Sequence, residues 1–321
     1  MKLQDIASTG TETLSSAIDR HLENWAKNKP QAPALLHKRR GQWKAWRWQD
    51  VWEDVSYLRE VLREEGLGTG SHLVLKGAYE PTLILLALAA LSAGAKVSLL
   101  ARRLSSVEFR KTLENIGPTH LFIQTRDGIA RLIESFRNNP EPLPLWLCTT
   151  FHVKRQLDVT VAISLQDIYK QARTGGSILQ WRQIRSTRPT WVEDGTEWEE
   201  GLGLLLSRLL WHGEVFAFPE NSGSAARDRQ DIAPGRLLLS ATRIQALNEE
   251  LGNRLPQHGS WLRRSWEWSR LNRHGGLQRL LESRVNRLMG LHRLNVTNST
   301  PESGHISVPA WFFNFAREPV R

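Results

Sequence analysis

The sequence predicts an α/β protein whose mostly parallel sheet layers are covered by helices. Two observations carry this. Short apolar runs alternate with amphipathic stretches through residues 1–170, and the stretches between runs are long enough to be crossover helices. Strands joined through such helices have to run parallel, with the helices lying on the faces of the sheet. At 321 residues the chain suggests about two domains, and its 40% hydrophobic content can fill a core without staples.

Ala45–Glu65 reads as an amphipathic helix, because Val51, Val55, Leu58 and Leu62 recur at helical spacing. Gly66 and Gly68 stop it, Gly70 follows in a turn, and His72–Lys76 (HLVLK) is a short strand. Pro81 opens an apolar helix that Gly94 closes, and Lys96–Leu100 is the next strand. The uncharged run Pro81–Ala95 is shorter than the roughly 18 residues a membrane-spanning helix needs, so it is expected to be a buried helix. Ser105–Asn115 carries a capping box, Ser105 with Glu108 three residues on. A strand at His120–Gln124, a helix at Asp127–Phe136 and a strand at Pro144–Cys148 continue the alternation. The predicted core of this layer is Val74, Leu75, Leu85, Leu88, Val97, Leu99, Leu121 and Ile123.

The expected organisation is a first α/β subdomain at 1–171, a junction at 172–195, a second and incomplete α/β subdomain at 196–294, and an irregular tail at 295–321. In the second subdomain the pattern predicts a helix at Thr196–Leu210, a strand at Glu214–Phe218, a polar loop at Asn221–Asp228, a strand at Arg236–Ser240 and a helix at Arg243–Leu255.

The net charge of +10 is uneven. Between Leu262 and Arg293 stand eight arginines against Glu267 and Glu282. Here Arg263, Arg264, Arg270 and Arg273 interleave with Trp261, Trp266 and Trp268, which makes this segment the candidate for binding an anionic surface. Arginine alternating with tryptophan also suits single-stranded nucleic acid, but a membrane surface is the expected partner and nucleic acid is disfavoured. Indoles packed in a core with arginines stacked on them would give the same pattern.

Cys148, the single cysteine, excludes an intramolecular disulfide and a Cys-cluster metal site, and lies in an apolar strand as expected of an inert thiol. The ten histidines form no ligand pair on a helix, so no metal is expected. The N-terminus lacks the apolar run of a signal peptide, which predicts a cytoplasmic protein, membrane-peripheral at most.

Three blocks of sequence carry a resemblance. The stretch AIDRHLENWAKNKPQAPALLHKRRGQWKAWRWQDVWEDVSYLREVLREEGLGTGSHLVL, the stretch YEPTLILLALAALSAGAKVSLL and the stretch SSVEFRKTLENIGPTHLFI follow one another in order. They resemble the opening of the AMP-forming long-chain acyl-CoA synthetases, of the adenylate-forming superfamily. The later WEEGLGLLLSRLLWHGEVFAFPE and LLLSATRIQALNEELGNRLPQHGSWLRRSWEWS resemble further blocks of the same family. The resemblance implies the fold of that family's large N-terminal domain. It also implies a phosphate-binding loop near 172–195 ending in Pro-Lys-Gly. The candidates are Thr174, Gly175, Gly176 and Ser177, with Asn221–Ser224 further on, and neither run is followed by Pro-Lys-Gly. The family's Tyr-Gly-x-Thr-Glu motif does not occur, and its small C-terminal domain is expected to be absent. The expectation is therefore a truncated, degenerate relative with no catalytic residues and no bound cofactor, accessory to acyl activation. Its expected partners are a full-length synthetase, an acyl carrier protein or a lipid surface. The competing expectation is a residual acyl-CoA or acyl-carrier ligase, which would need ATP, magnesium and CoA.

Overall fold

The computed structural model describes residues 14–136, 146–149, 161–164, 176–178, 187–254, 284 and 286–294. The chain divides into two compact units, each discontinuous in sequence. The first comprises residues 1–37, 43–178 and 194–214, and the second residues 38–42, 179–193 and 215–321.

From α1 (Leu14–Asn28), in the first unit, the chain leads to β1 (Pro33–Arg39) and β2 (Gln42–Arg47), a hairpin whose tip, residues 38–42, belongs to the second unit. The turn between these strands holds Arg40 and Gly41 at φ 50° and 74°, the pair of positive values that a two-residue hairpin turn demands. Ala45–Arg47 are thus strand residues rather than the start of a helix. Trp43, Ala45 and Trp46 are buried in the hairpin, and that burial overrides the helical spacing downstream. The helix α2 begins at Trp48 and runs to Glu64, with the Arg47 amide donating to Asp50 Oδ2 (2.8 Å).

Next come β3 (His72–Lys76), α3 (Pro81–Ser92), β4 (Lys96–Leu99), α4 (Ser106–Ile116), β5 (His120–Ile123), α5 (Arg126–Phe136), β6 (Trp146–Thr149) and β7 (Val161–Ser164). All four pairings among these strands are parallel, and the order is β4-β3-β5-β6-β7. Helix α3 is buried along almost its whole length, packed with α1 and α2, as its lack of a polar face requires. Among the described residues no helix is long and apolar enough to cross a membrane. The Ser105–Glu108 box forms as expected: the Glu108 amide donates to Ser105 Oγ (3.3 Å), and the Ser105 amide to Glu108 Oε2 (3.0 Å). Val74, Leu75, Leu85, Leu88, Leu121 and Ile123 are buried. Val97 and Leu99 are only half-buried, because β4 is the edge strand and has a neighbour on one side only. The short β8 (Ser177–Ile178) pairs antiparallel with β2, Ala45 opposite Ser177. Helix α6 (Gly201–His212) starts five residues later than the spacing predicts, because Thr196 and Trp198 are engaged in loop hydrogen bonds.

In the second unit β9 (Thr190–Trp191) lies between β10 (Phe216–Phe218) and β11 (Arg236–Leu237), parallel to both. The predicted strand at 236–240 thus shortens to two residues. Helix α7 (Ala225–Ile232) takes the second half of the expected polar loop, and α8 covers Ala241–Arg254. The buried positions of α7 include Asp228 and Arg229, so no apolar periodicity announces it.

Candidate functional site

The strand order of the five-stranded sheet reverses once. From β3 the chain goes outward to β4, then passes back to β5 on the other side of β3. Open α/β sheets bind their ligands outside the carboxyl ends of the strands at such a reversal. Here that place is framed by Lys76–Gly77 after β3 and by Gln124–Thr125 after β5.

This crevice is closed by the chain itself. Lys76 is 3% exposed, lies 5.1 Å from the Phe109 ring centroid, and donates to the Ala101 and Arg102 carbonyls. The Gln124 side chain accepts from the Ala78 amide and leaves no room for a Cβ on Gly77. The segment Asp194–Trp198 lies across the end of β3. Thr196 Oγ1 accepts from the Gly77 amide (3.1 Å) and donates to the Leu100 carbonyl (2.6 Å), while the Asp194 carbonyl accepts from the Tyr79 amide (3.1 Å). Tyr79 donates to the Trp198 carbonyl (2.6 Å), and burial raises its phenol pKa further. Arg102 makes a two-pronged ion pair with Glu197 at the rim.

Burial, with Arg131 and Arg102 adding repulsion, brings the Lys76 ammonium down to about 8. Above that pH the folded chain holds one proton fewer than the unfolded chain, whose lysine titrates near 10.4, so stability rises with pH across this window. Relative to Lys76→Met, the wild type is therefore expected to gain at most about 1.4 kcal/mol per pH unit between pH 8 and 10. Urea denaturation of both proteins at several pH values measures it, and parallel pH profiles would refute it.

Of the sequence-predicted phosphate residues, Thr174 and Gly175 lie outside the described residues. Gly176 and Ser177 open the β8 edge strand, where Ser177 Oγ donates to the Ala45 carbonyl (3.4 Å) and Gly176 packs on Trp46. Trp261, Arg263, Arg264, Trp266, Trp268, Arg270 and Arg273 lie outside the described residues, as does the side chain of Cys148. Trp43, Trp46 and Trp48 are core residues, with Trp48 stacked on Trp25 at 5.2 Å.

In the second unit donors at the Asn221–Ser224 turn are engaged by the Asp228 carboxylate of α7. One oxygen of that fully buried carboxylate accepts from the Glu220 amide (3.0 Å) and from Ser224 Oγ (2.6 Å). Two further donors of the turn are used locally, the Ser224 amide on Asn221 Oδ1 and the Asn221 amide on Ser224 Oγ. Lys38 pairs with Asp228 (3.0 Å) and with Asp231. Burial pulls the Lys38 ammonium down, but these two carboxylates outweigh it and hold it above the ordinary lysine value. Burial likewise pushes Asp228 up, and Ser224, the Glu220 amide and Lys38 overcome it. A second carboxylate, Glu220, takes the Arg40 and Gly41 amides (2.6 and 3.2 Å) at the hairpin tip. These donors are already bonded to the chain's own carboxylates. Neither Lys76 nor Lys38 was anticipated from sequence. A lysine closing an apolar strand just before a glycine is the signal that marks Lys76.

Residues 22–165 match the AMP-binding enzyme family. This matched stretch contains the whole five-stranded sheet. No curated protein matches the chain significantly. The fold is similar to that of the adenylation domain of a carboxylate reductase from Mycobacterium chelonae, at 15% identity and TM-score 0.60, covering 91% of this chain and 54% of that one. Coronafacic acid ligase from Pectobacterium brasiliense gives 10% identity and TM-score 0.56, with 78% and 53% covered. A luciferase-like enzyme from the mealworm Zophobas morio gives 12% and 0.53, with 70% and 59% covered. The chain thus spans a little over half the length of these proteins. The mixed α/β architecture, with its mostly parallel sheet, is the one found in the N-terminal domain of adenylate-forming ligases.

Proposed function

We propose that the protein is an acyl-CoA-synthetase-like member of the AMP-binding enzymes that does not form adenylates itself. It serves acyl activation as an accessory, docking a complete synthetase or an acyl carrier protein. One observation carries the noncatalytic part: at the Asn221–Ser224 turn the Ser224 hydroxyl and the neighbouring Glu220 amide donate to the chain's own Asp228 carboxylate. Catalysis of phosphoryl chemistry rests on donors and cations poised for the substrate's developing charge. Here the Ser224 hydroxyl, the Glu220 amide and the Lys38 ammonium are neutralised internally. The Gly176–Ser177 step supports the same reading, since Ser177 spends its hydroxyl on a strand carbonyl. The second reading is a residual AMP-forming acyl-CoA or acyl-carrier ligase, favoured by the family match over residues 22–165.

Magnesium-dependent ATP–pyrophosphate exchange with a panel of fatty acids separates the two. The purified chain is expected to give no exchange above a no-enzyme control. Exchange that a point mutation abolishes would establish the ligase instead.

A further inference from the structure

The loop from β4 to α4 carries a signature that occurs once in the chain: Arg102 and Arg103 stand three and two residues before Ser105. Arg103 and Ser105 are exposed, and Val107, two residues on, is 78% exposed. Arg102 shares its guanidinium with Glu197 in a partly exposed ion pair, the kind that solvent weakens. Among the described residues Arg103 makes no ion pair. Leu104 anchors the loop: its side chain packs on the core around Phe109 and Leu132, and its carbonyl accepts from Arg131 (2.7 Å).

Ser105 is the N-cap of α4, with extended backbone (φ −65°, ψ 161°). Its hydroxyl donates to Glu108 Oε2 (2.8 Å) and accepts from the Glu108 amide (3.3 Å), and both contacts are exposed. The first-turn amides of a helix have no carbonyl partner within it and point at this position, where the helix dipole favours negative charge. Ser105 is thus open to solvent, preceded by two cations, and set where the backbone stabilises an added anion.

We propose that Ser105 is a phosphoacceptor for a protein kinase that selects basic sequences, and that the phosphate then caps α4 and captures Arg103. Such a kinase reads the two guanidinium groups with its own carboxylates, through charge-assisted bonds. In the transfer Ser105 Oγ bonds to the γ-phosphorus of ATP and the bond from that phosphorus to the β–γ bridging oxygen breaks. ADP leaves, and the hydroxyl proton passes to a carboxylate of the kinase. The new phosphate accepts from the first-turn amides and from Arg103, and repels the Glu108 carboxylate out of the capping box. The mark needs no nucleotide site and no acyl substrate on this chain, so it stands or falls apart from the accessory role.

The folded full chain, incubated with magnesium-ATP and the catalytic subunit of cyclic-AMP-dependent protein kinase, tests this. Its intact mass is expected to rise by one phosphoryl group, and fragmentation of the labelled wild type to place that group on Ser105, a reading that needs no variant to fold. Ser105→Ala should abolish the labelling, and the double variant Arg102→Gln, Arg103→Gln should slow it by about tenfold or more. A folded chain that stays unlabelled, or takes its label elsewhere, would overturn the proposal. In the phosphorylated chain, phosphorus NMR should place the second phosphate ionisation below the free-ester value of about 6, and Arg103→Gln should move it back up. A value equal to that of the free ester would overturn the capture by Arg103 and the helix.

Discussion

Arg229→Ala is expected to destabilise the second unit by about 3–5 kcal/mol, as losing one partner of a buried ion pair does. The Arg229 guanidinium is 1% exposed and points three ways. Its Nε donates to the Met289 carbonyl (2.9 Å), Nη1 to Glu193 (3.0 Å) and Nη2 to Glu250 (2.8 Å). Glu193 also holds the Trp191 indole of β9 (2.8 Å), so one guanidinium ties α7 to β9, α8 and the 286–294 turn. Gly290, at φ 71°, makes the close approach to the Arg229 carbonyl possible, since a Cβ there would lie 2.5 Å away. Alanine would leave the partly buried Glu193 without its cation. Lysine is not an adequate replacement, because a single ammonium cannot reproduce the fork. Chemical denaturation followed by circular dichroism measures the loss, and a change below about 0.5 kcal/mol, the surface range, would refute it.

Leu88→Ala should cost the first unit about 2–5 kcal/mol. Leu88 is 0% exposed at the middle of α3, where every neighbour along the helix except Thr82 is buried as well. The removed side chain leaves a cavity that α1, α2 and the sheet cannot all close at once. Val107, 78% exposed on α4, is the control: Val107→Ala should change stability by less than about 0.5 kcal/mol.

These two positions also mark what sequence could and could not reveal. Helix α3, strands β3 and β5 and the Ser105 box are legible because each depends on local pattern: continuous apolarity, short β-rich runs, a serine three residues before a glutamate. Arg229 is illegible because its partners at 193, 250 and 289 are far apart in sequence, and nothing local says that an arginine in a polar stretch faces inward. The same holds for Asp228 of α7, which lies in a stretch that reads as a surface loop until the fold shows it bonded to Ser224 and the Glu220 amide. The end of β2 at Ala45–Arg47 was hidden because buried tryptophans suit a strand and a helix equally. The edge position of β4, which leaves Val97 and Leu99 half-covered, is a matter of strand order, and strand order is not written in any single strand.

The central proposal is that the chain does not hold nucleotide, the donors at the Asn221–Ser224 turn being engaged by its own Asp228 carboxylate. Calorimetric titration of magnesium-ATP into the purified chain tests this most directly. The account predicts no saturable binding up to about 1 mM nucleotide, an affinity no better than roughly −4 kcal/mol. One-site binding tighter than that would contradict it.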